Sequence, residues 1–187
     1  MLTTYRFLSS PFGKILVAWS ERGLVRIGIR EDSDSVAEPD WRFDPELDCE
    51  ATRQLEEYFA GDRRVFQLPL YMEVSDFRRK VYAELERIPF GETVAYGTVA
   101  ERVGSPQASR AVGLACGSNP LPIVVPCHRV IGSTGRLVGF GGGLDMKRAM
   151  LEFERSRTPA RVGSLGIAIP PRVSLSMPIL HSKNDNF

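Results

Sequence analysis

The spacing of apolar residues changes character near residue 75. Before that point they fall in short alternating or continuous runs, and after it they recur at helical intervals. A chain of 187 residues with such a break can form one generous domain or two small ones, each able to bury a core. The break itself predicts a division into residues 1–75 and 76–157. In the first part, KILVAWSERGLVRIGI predicts two strands joined by a turn at Glu21–Gly23. EDSDSVAEPD is polar and acidic and reads as a loop. CEATRQLEEYFAGD places Leu55, Tyr58 and Phe59 on one helical face, with Gly61 as C-cap. VFQLPLYM predicts a short strand interrupted by Pro69. This part is mixed α and β, shows no chemistry of its own, and leaves Cys49 a bystander.

The second part reads as helices. VSDFRRKVYAELERI starts at Ser75 or Asp76 and lines up Phe77, Val81, Leu85 and Ile88. After the break at PFGE, TVAYGTVAERVG gives a short helix ending at Gly104. SPQASRAVGLACGSNP follows, with Ser105 as cap, Pro106 at the first helical position, and Ala108, Val112 and Ala115 on one face. Two short helices joined by a tight turn after a longer one form a helix-turn-helix pattern. Helix pairs of this kind also occur without DNA. IGSTGRLVGFGGG is rich in glycine but lacks the strand-flanked order of a nucleotide-binding loop, and suits close backbone approach to a flat ligand. LDMKRAMLEFERSR predicts a last amphipathic helix carrying Leu144, Met150, Leu151 and Glu154. Residues 158–187 show no periodicity and several prolines, and are expected to be a poorly ordered tail outside any core.

Composition narrows the function classes. No run of eighteen apolar residues indicates a membrane span, and MLTTYRFLSSPFGK lacks the order of a signal peptide. Three scattered cysteines do not make a disulfide framework, so a reducing, cytoplasmic setting is expected. Residues 1–75 hold nine Lys and Arg against fourteen Asp and Glu, whereas residues 76–157 hold twelve against eight. Only the second part therefore suits a polyanion. That surplus can equally be a solvated face.

The chemistry concentrates in NPLPIVVPCHRVIG, where Cys127 is followed by His128. A reactive cysteine needs a base or positive charge nearby. The other histidine, His181, lies in the tail, so His128 is the candidate base, with Glu154 as orienting acid. The residue pattern alone leaves open a buried cysteine beside a solvent-facing histidine. Three cysteines and two histidines, spread from residue 49 to 181, offer no zinc-ligand cluster, so no metal is expected.

IVVPCHRVIG, together with IPFGETVAYGTVA, SRAVGLACGSNPLPI and GFGGGLDMKRAMLEFE, resembles the O6-alkylguanine-DNA alkyltransferases across residues 76–157. The resemblance implies a mixed α/β, ribonuclease-H-like N-terminal domain of a small sheet plus a helix, followed by a mainly α, winged helix-turn-helix domain. It implies a stoichiometric DNA-repair reaction in which a flipped O6-alkylguanine gives its alkyl group irreversibly to Cys127, without a cofactor. O4-alkylthymine is a further possible substrate. His128 is similar to the base that takes the thiol proton through a water, and Glu154 to the acid behind it. Asn119 resembles the hinge that ties the recognition helix to the cysteine loop. Tyr96 resembles the hydroxyl that donates to the guanine ring. Arg110 is similar to the finger that fills the vacated stack. Gly97, Ser105 and Ser133 correspond to phosphate contacts. Val130, Pro122, Phe140 and Gly141 correspond to the substrate pocket, with the Val130 carbonyl offered to the base. Double-stranded DNA approached from the minor groove, action as a monomer, and a cytoplasmic location (nuclear in a eukaryote) complete the expectation. The N-terminal Cys and His ligands of the family's zinc-binding members are absent here.

Three rivals remain at this level. A lesion-binding relative would lack the nucleophile. A turnover thiol hydrolase would leave Arg110, Tyr96 and the helix pair unemployed. A winged-helix transcription factor would leave the Cys-His pair unexplained.

Overall fold

The computed structural model of the protein describes residues 1–29 and 37–158. The expectations for most of the acidic loop and for the tail beyond Thr158 lie outside those residues.

Strands β1 (Thr3–Ser10), β2 (Gly13–Ser20) and β3 (Gly23–Gly28) form an antiparallel meander, and the short β4 (Arg42–Phe43) joins β1 in parallel. The β2–β3 hairpin matches its sequence signal. β1 was not legible, because TTYRFLSS mixes polar and aromatic residues and buries only Thr3 and Leu8. Helix α1 (Glu50–Ala60) packs against β1 and β2 through a face that includes Leu55 and Tyr58. It ends where Gly61 turns left-handed, at φ 92°.

Residues 65–72 do not form the expected strand. Pro69 has no N–H to give a ladder, and the segment makes only one bridge along the edge of β3. There Leu24 N donates to Pro69 O (2.8 Å) and Tyr71 N to Leu24 O (2.9 Å). Gly23 permits that approach: a Cβ there would sit 2.1 Å from Pro69 O.

Helix α2 (Asp76–Leu85) starts at Ser75, whose side chain accepts from Arg78 N, and buries Val81, Tyr82 and Leu85. Ile88, placed on the same stripe by periodicity, is buried just beyond the helix end. The short strand β5 (Val94–Ala95) leads into α3 (Tyr96–Arg102), a turn through Gly104 at φ 76°, and α4 (Ser109–Gly117). The expected Ser105 cap is wrong. Ala108 N donates to Ser105 O (2.9 Å) in a turn that holds Pro106, and α4 begins only at Ser109, after Ala108. β5 pairs in parallel with β6 (Val130–Ile131), a contact too short to leave a sequence signal. Helix α5 (Leu144–Arg157) closes the described chain. Leu144, expected on its apolar face, is exposed, and Lys147 is buried instead.

One hydrophobic core runs through both parts. At their junction Tyr58 packs within 5.5 Å of Phe153 and 5.8 Å of Phe90, centroid to centroid.

Candidate active site

Residues 121–130 are buried without interruption. Asn119 shapes this buried run from one end. Its Oδ1 accepts from Leu121 N (3.0 Å), and its Nδ2 donates to Val125 O (2.8 Å) and to Cys127 Sγ (3.2 Å). Inside the loop so clamped, Ile123 adopts φ 77°, a left-handed conformation that a β-branched residue takes only under constraint. Cys127 then opens a short 3-10 helix, Cys127–Arg129. The loop thus fixes the thiol by backbone geometry and aims an N–H at its sulfur.

Burial pushes the Cys127 thiol above its ordinary value, partly offset by the Asn119 hydrogen bond and the Lys147 charge. His128, with no exposed surface, is pushed below its ordinary value by burial, although Glu154 pulls the other way. The resting pair is therefore a neutral thiol and a neutral imidazole. Burial alone would raise the Glu154 carboxyl, but the hydrogen bonds from His128 and Arg129 and the Arg129 charge hold it well below the usual carboxylate range. An ionised carboxylate only accepts, so at 2.9 Å from Glu154 Oε1 it is His128 Nε2 that carries the ring proton. The bare lone pair then sits on Nδ1, which is buried and has no hydrogen-bond partner among the described residues. A neutral imidazole held in this tautomer is a general base ready to take a proton.

Two cations of the site escaped the sequence reading. Arg129 forks onto Glu154, Nε to Oε2 at 2.9 Å and Nη2 to Oε1 at 2.8 Å, and gives Nη1 to Ile88 O. Lys147 is fully buried and donates to Val130 O (2.7 Å), Val138 O (3.0 Å) and Tyr96 Oη (3.4 Å). On a helix, Lys and Arg normally read as a solvated face, so nothing in the residue pattern marked Lys147. The available signal was the family resemblance, since Arg129 stands inside IVVPCHRVIG and Lys147 inside GFGGGLDMKRAMLEFE.

A cavity of about 350 Å³ opens onto Cys127, and Asn119, Pro122, Phe140 and Gly141 line it together with Cys116. Of the expected pocket residues, Val130 is not among the lining, and its carbonyl is already engaged by Lys147. Tyr96 is not among the described residues lining the cavity, and its hydroxyl donates to Val138 O at 3.2 Å. Arg110 is exposed near the start of α4, and Gly97 sits in the first turn of α3. Ser133 is exposed in the turn after β6, and Ser105 is half-buried in the turn before α4. Among the described residues no cluster of His, Cys, Asp and Glu could hold a metal ion, and no helix is long and apolar enough to cross a membrane.

Family comparison meets this geometry at both ends of the chain. The family model described as "6-O-methylguanine DNA methyltransferase, ribonuclease-like domain" matches residues 3–72, and its "DNA binding domain" counterpart matches residues 76–156. The chain belongs to the 6-O-methylguanine DNA methyltransferase family. It is similar to the methylated-DNA–protein-cysteine methyltransferase of Mycobacterium tuberculosis, with 44% identity over 156 residues, covering 83% of this chain and 94% of the relative. It is likewise similar to that of Methanosarcina acetivorans, 45% identical over 153 residues, 81% of this chain and 98% of the relative. The solved structure of M. tuberculosis OGT in complex with DNA matches with a TM-score of 0.77 at 44% identity, over 84% of this chain and 96% of that one. As in the other 6-O-methylguanine DNA methyltransferases so matched, a sheet-bearing N-terminal part precedes a helical C-terminal part.

Proposed function

We propose that this chain is a methylated-DNA–protein-cysteine methyltransferase that flips O6-alkylguanine from duplex DNA and transfers the alkyl group to Cys127. The observation that carries the reading is the relay behind the thiol. Cys127 faces a cavity, His128 beside it holds a bare buried nitrogen, and Glu154 fixes the tautomer. In the reaction the Cys127 sulfur attacks the first carbon of the alkyl group in line with the bond to O6. The S–C bond forms as the C–O bond breaks, and the electron pair stays on the guanine. The thiol proton passes through a bridging water to His128 Nδ1, and Glu154 stabilises the imidazolium that results. Asn119 donates to the sulfur and holds the attacking atom in place. Tyr96 donates to the departing base once its hydroxyl turns from Val138 O. The thioether product is stable to water, so one protein repairs one lesion.

The base must leave the duplex to reach the cavity, at a cost of a few kcal/mol. Arg110, exposed on α4, fills the gap it leaves. The α3–turn–α4 unit serves as a winged helix-turn-helix lying in the minor groove, with Gly97 and Ser133 at phosphates. Ser105 would make the same contact from the turn before α4 and not from a helix start. The boundary near residue 75 separates this unit from a ribonuclease-H-like domain, a reading supported by family matches that end at 72 and resume at 76. The protein acts as a monomer in the cytoplasm, or in the nucleus of a eukaryote, without a cofactor. O4-alkylthymine fits the same chemistry.

The test is mass spectrometry after incubation with a duplex bearing one O6-methylguanine. The Cys127 peptide should gain the mass of one CH2, and repair should stop at one lesion per protein. Cys127→Ser should bind the duplex and transfer nothing. Repair continuing past one equivalent, or a label on another residue, would remove the reading.

A further inference from the structure

We propose that Arg26 adapts the cavity to lesions whose O6 substituent ends in a carboxylate. The inference rests on the alkyl-transfer reading above. The second wall of the cavity comes from the N-terminal part, where Arg26 to Ile29 at the end of β3 face the cysteine side. A backbone bond from Ile27 N to Pro120 O (2.9 Å) holds this strand against the loop that carries Asn119 and Cys127. Among the described residues lining the cavity, Arg26 is the one with a formal charge; the others are aliphatic, aromatic, glycine, or neutral polar side chains. Arg26 is exposed; its backbone belongs to the β2–β3 ladder, and its side chain makes no hydrogen bond or ion pair among the described residues.

The geometry of displacement gives this charge a use. Sulfur must approach the first carbon opposite O6, so any further atoms of the substituent project sideways along the cavity walls. A methyl group ends before it meets them. A longer chain lies against Pro122, Phe140 and Ile27, which suit methylene groups and give nothing to an anion. A carboxylate driven into that lining would lose its hydration without compensation. A guanidinium at the rim offers it two parallel N–H donors and a permanent positive charge. The same charge gives a methyl substituent nothing, so Arg26 discriminates between substituents and leaves the displacement itself untouched.

Single-turnover transfer on duplexes carrying O6-methylguanine, O6-carboxymethylguanine or the uncharged O6-(2-hydroxyethyl)guanine tests this, in wild type, Arg26→Ala and Arg26→Lys. Arg26→Ala should transfer methyl and hydroxyethyl at the wild-type rate and carboxymethyl about fivefold more slowly, the scale of an exposed charge pair. Arg26→Lys should recover part of that rate, and raised salt should shrink the wild-type advantage. Equal slowing of all three lesions would make Arg26 a contact to the DNA backbone and overturn the proposal. So would an Arg26→Ala rate unchanged for carboxymethyl. Wild-type protein that transfers no methyl group would overturn the alkyl-transfer reading itself, which the methyl arm reads separately.

Discussion

At the scale of single residues the site is built around protonation states that burial sets and neighbours correct. His128 sits below its ordinary value because burial outweighs the Glu154 attraction. A free imidazole titrates near ~6.5, so the His128 base should stay unprotonated at lower pH than that. The single-turnover rate should hold steady from neutral pH down past about 6.5 and fall only further into acid. A midpoint at or above the free-imidazole value would refute the neutral buried base. His128→Ala should cost about 10²–10⁴-fold in rate, the usual range for a general base, with duplex affinity little changed in a gel-shift titration. Cys127, His128 and Glu154 were legible as a group because a cysteine directly followed by one of only two histidines stands out, with a carboxylate on the next helix. Arg129 and Lys147 were not, since a buried cation announces itself only through the acceptors that the fold brings to it.

At the scale of elements, the loops carry more of the function than the helices they join. Lys147 is the pin of one such loop: its ammonium ties Val138, in the glycine-rich segment, to Val130 at β6 and to Tyr96 at the start of α3. Lys147→Met keeps length and apolar bulk but leaves the carbonyl of buried Val130 without that donor, while Val138 O keeps the Tyr96 hydroxyl. Each unsatisfied buried group costs about 1–3 kcal/mol, so the variant should melt lower and its glycine-rich segment should exchange amide hydrogens faster. Unchanged exchange in residues 137–143 would show that the pin holds nothing. On the opposite side, Arg110 stands on an exposed face of α4 with no part in the thiol relay. Arg110→Ala should therefore slow repair in duplex DNA far more than reaction with free O6-alkylguanine. Equal losses on both substrates would remove the finger role. Helices of good periodicity were legible to within a few residues. What failed were features decided by backbone hydrogen bonds, such as the Ser105–Ala108 turn, the edge contact at Pro69 and the two-residue strands β4, β5 and β6.

At the scale of the whole molecule, the acid of the relay is also a joint between the two parts. Glu154 on α5 accepts from Tyr58 Oη of α1 (2.8 Å), from Gly91 N (2.9 Å), from His128 and from Arg129. Three separate stretches of chain, at Tyr58, at Gly91 and at His128–Arg129, thus converge on one carboxylate, close to the Tyr58–Phe90–Phe153 cluster. Catalytic geometry and stability cannot then be separated at this residue. Glu154→Gln should slow transfer and also destabilise by about 3–5 kcal/mol, because it strands the buried Arg129 charge. Acid should act in two stages for the same reason. The unfolded chain protonates His128 from about pH 6.5 downward while the folded state resists, so the His128 contribution to stability falls as pH drops through that window. The unfolded glutamate takes its proton near ~4.3 while folded Glu154, held lower, does not, so a second loss follows below that pH. Each stage can reach about 1.4 kcal/mol per pH unit for one proton. Urea midpoints measured from pH 8 to about 3.5 should carry the downward bend of His128 near 6.5 and steepen below about 4.5. That first bend is set against Glu86, whose carboxyl burial pushes up to about 7 and which gains stability as pH falls. His128→Gln should abolish the first bend and leave the second. A first bend that survives in His128→Gln would assign it to other groups and detach the relay from the stability of the fold.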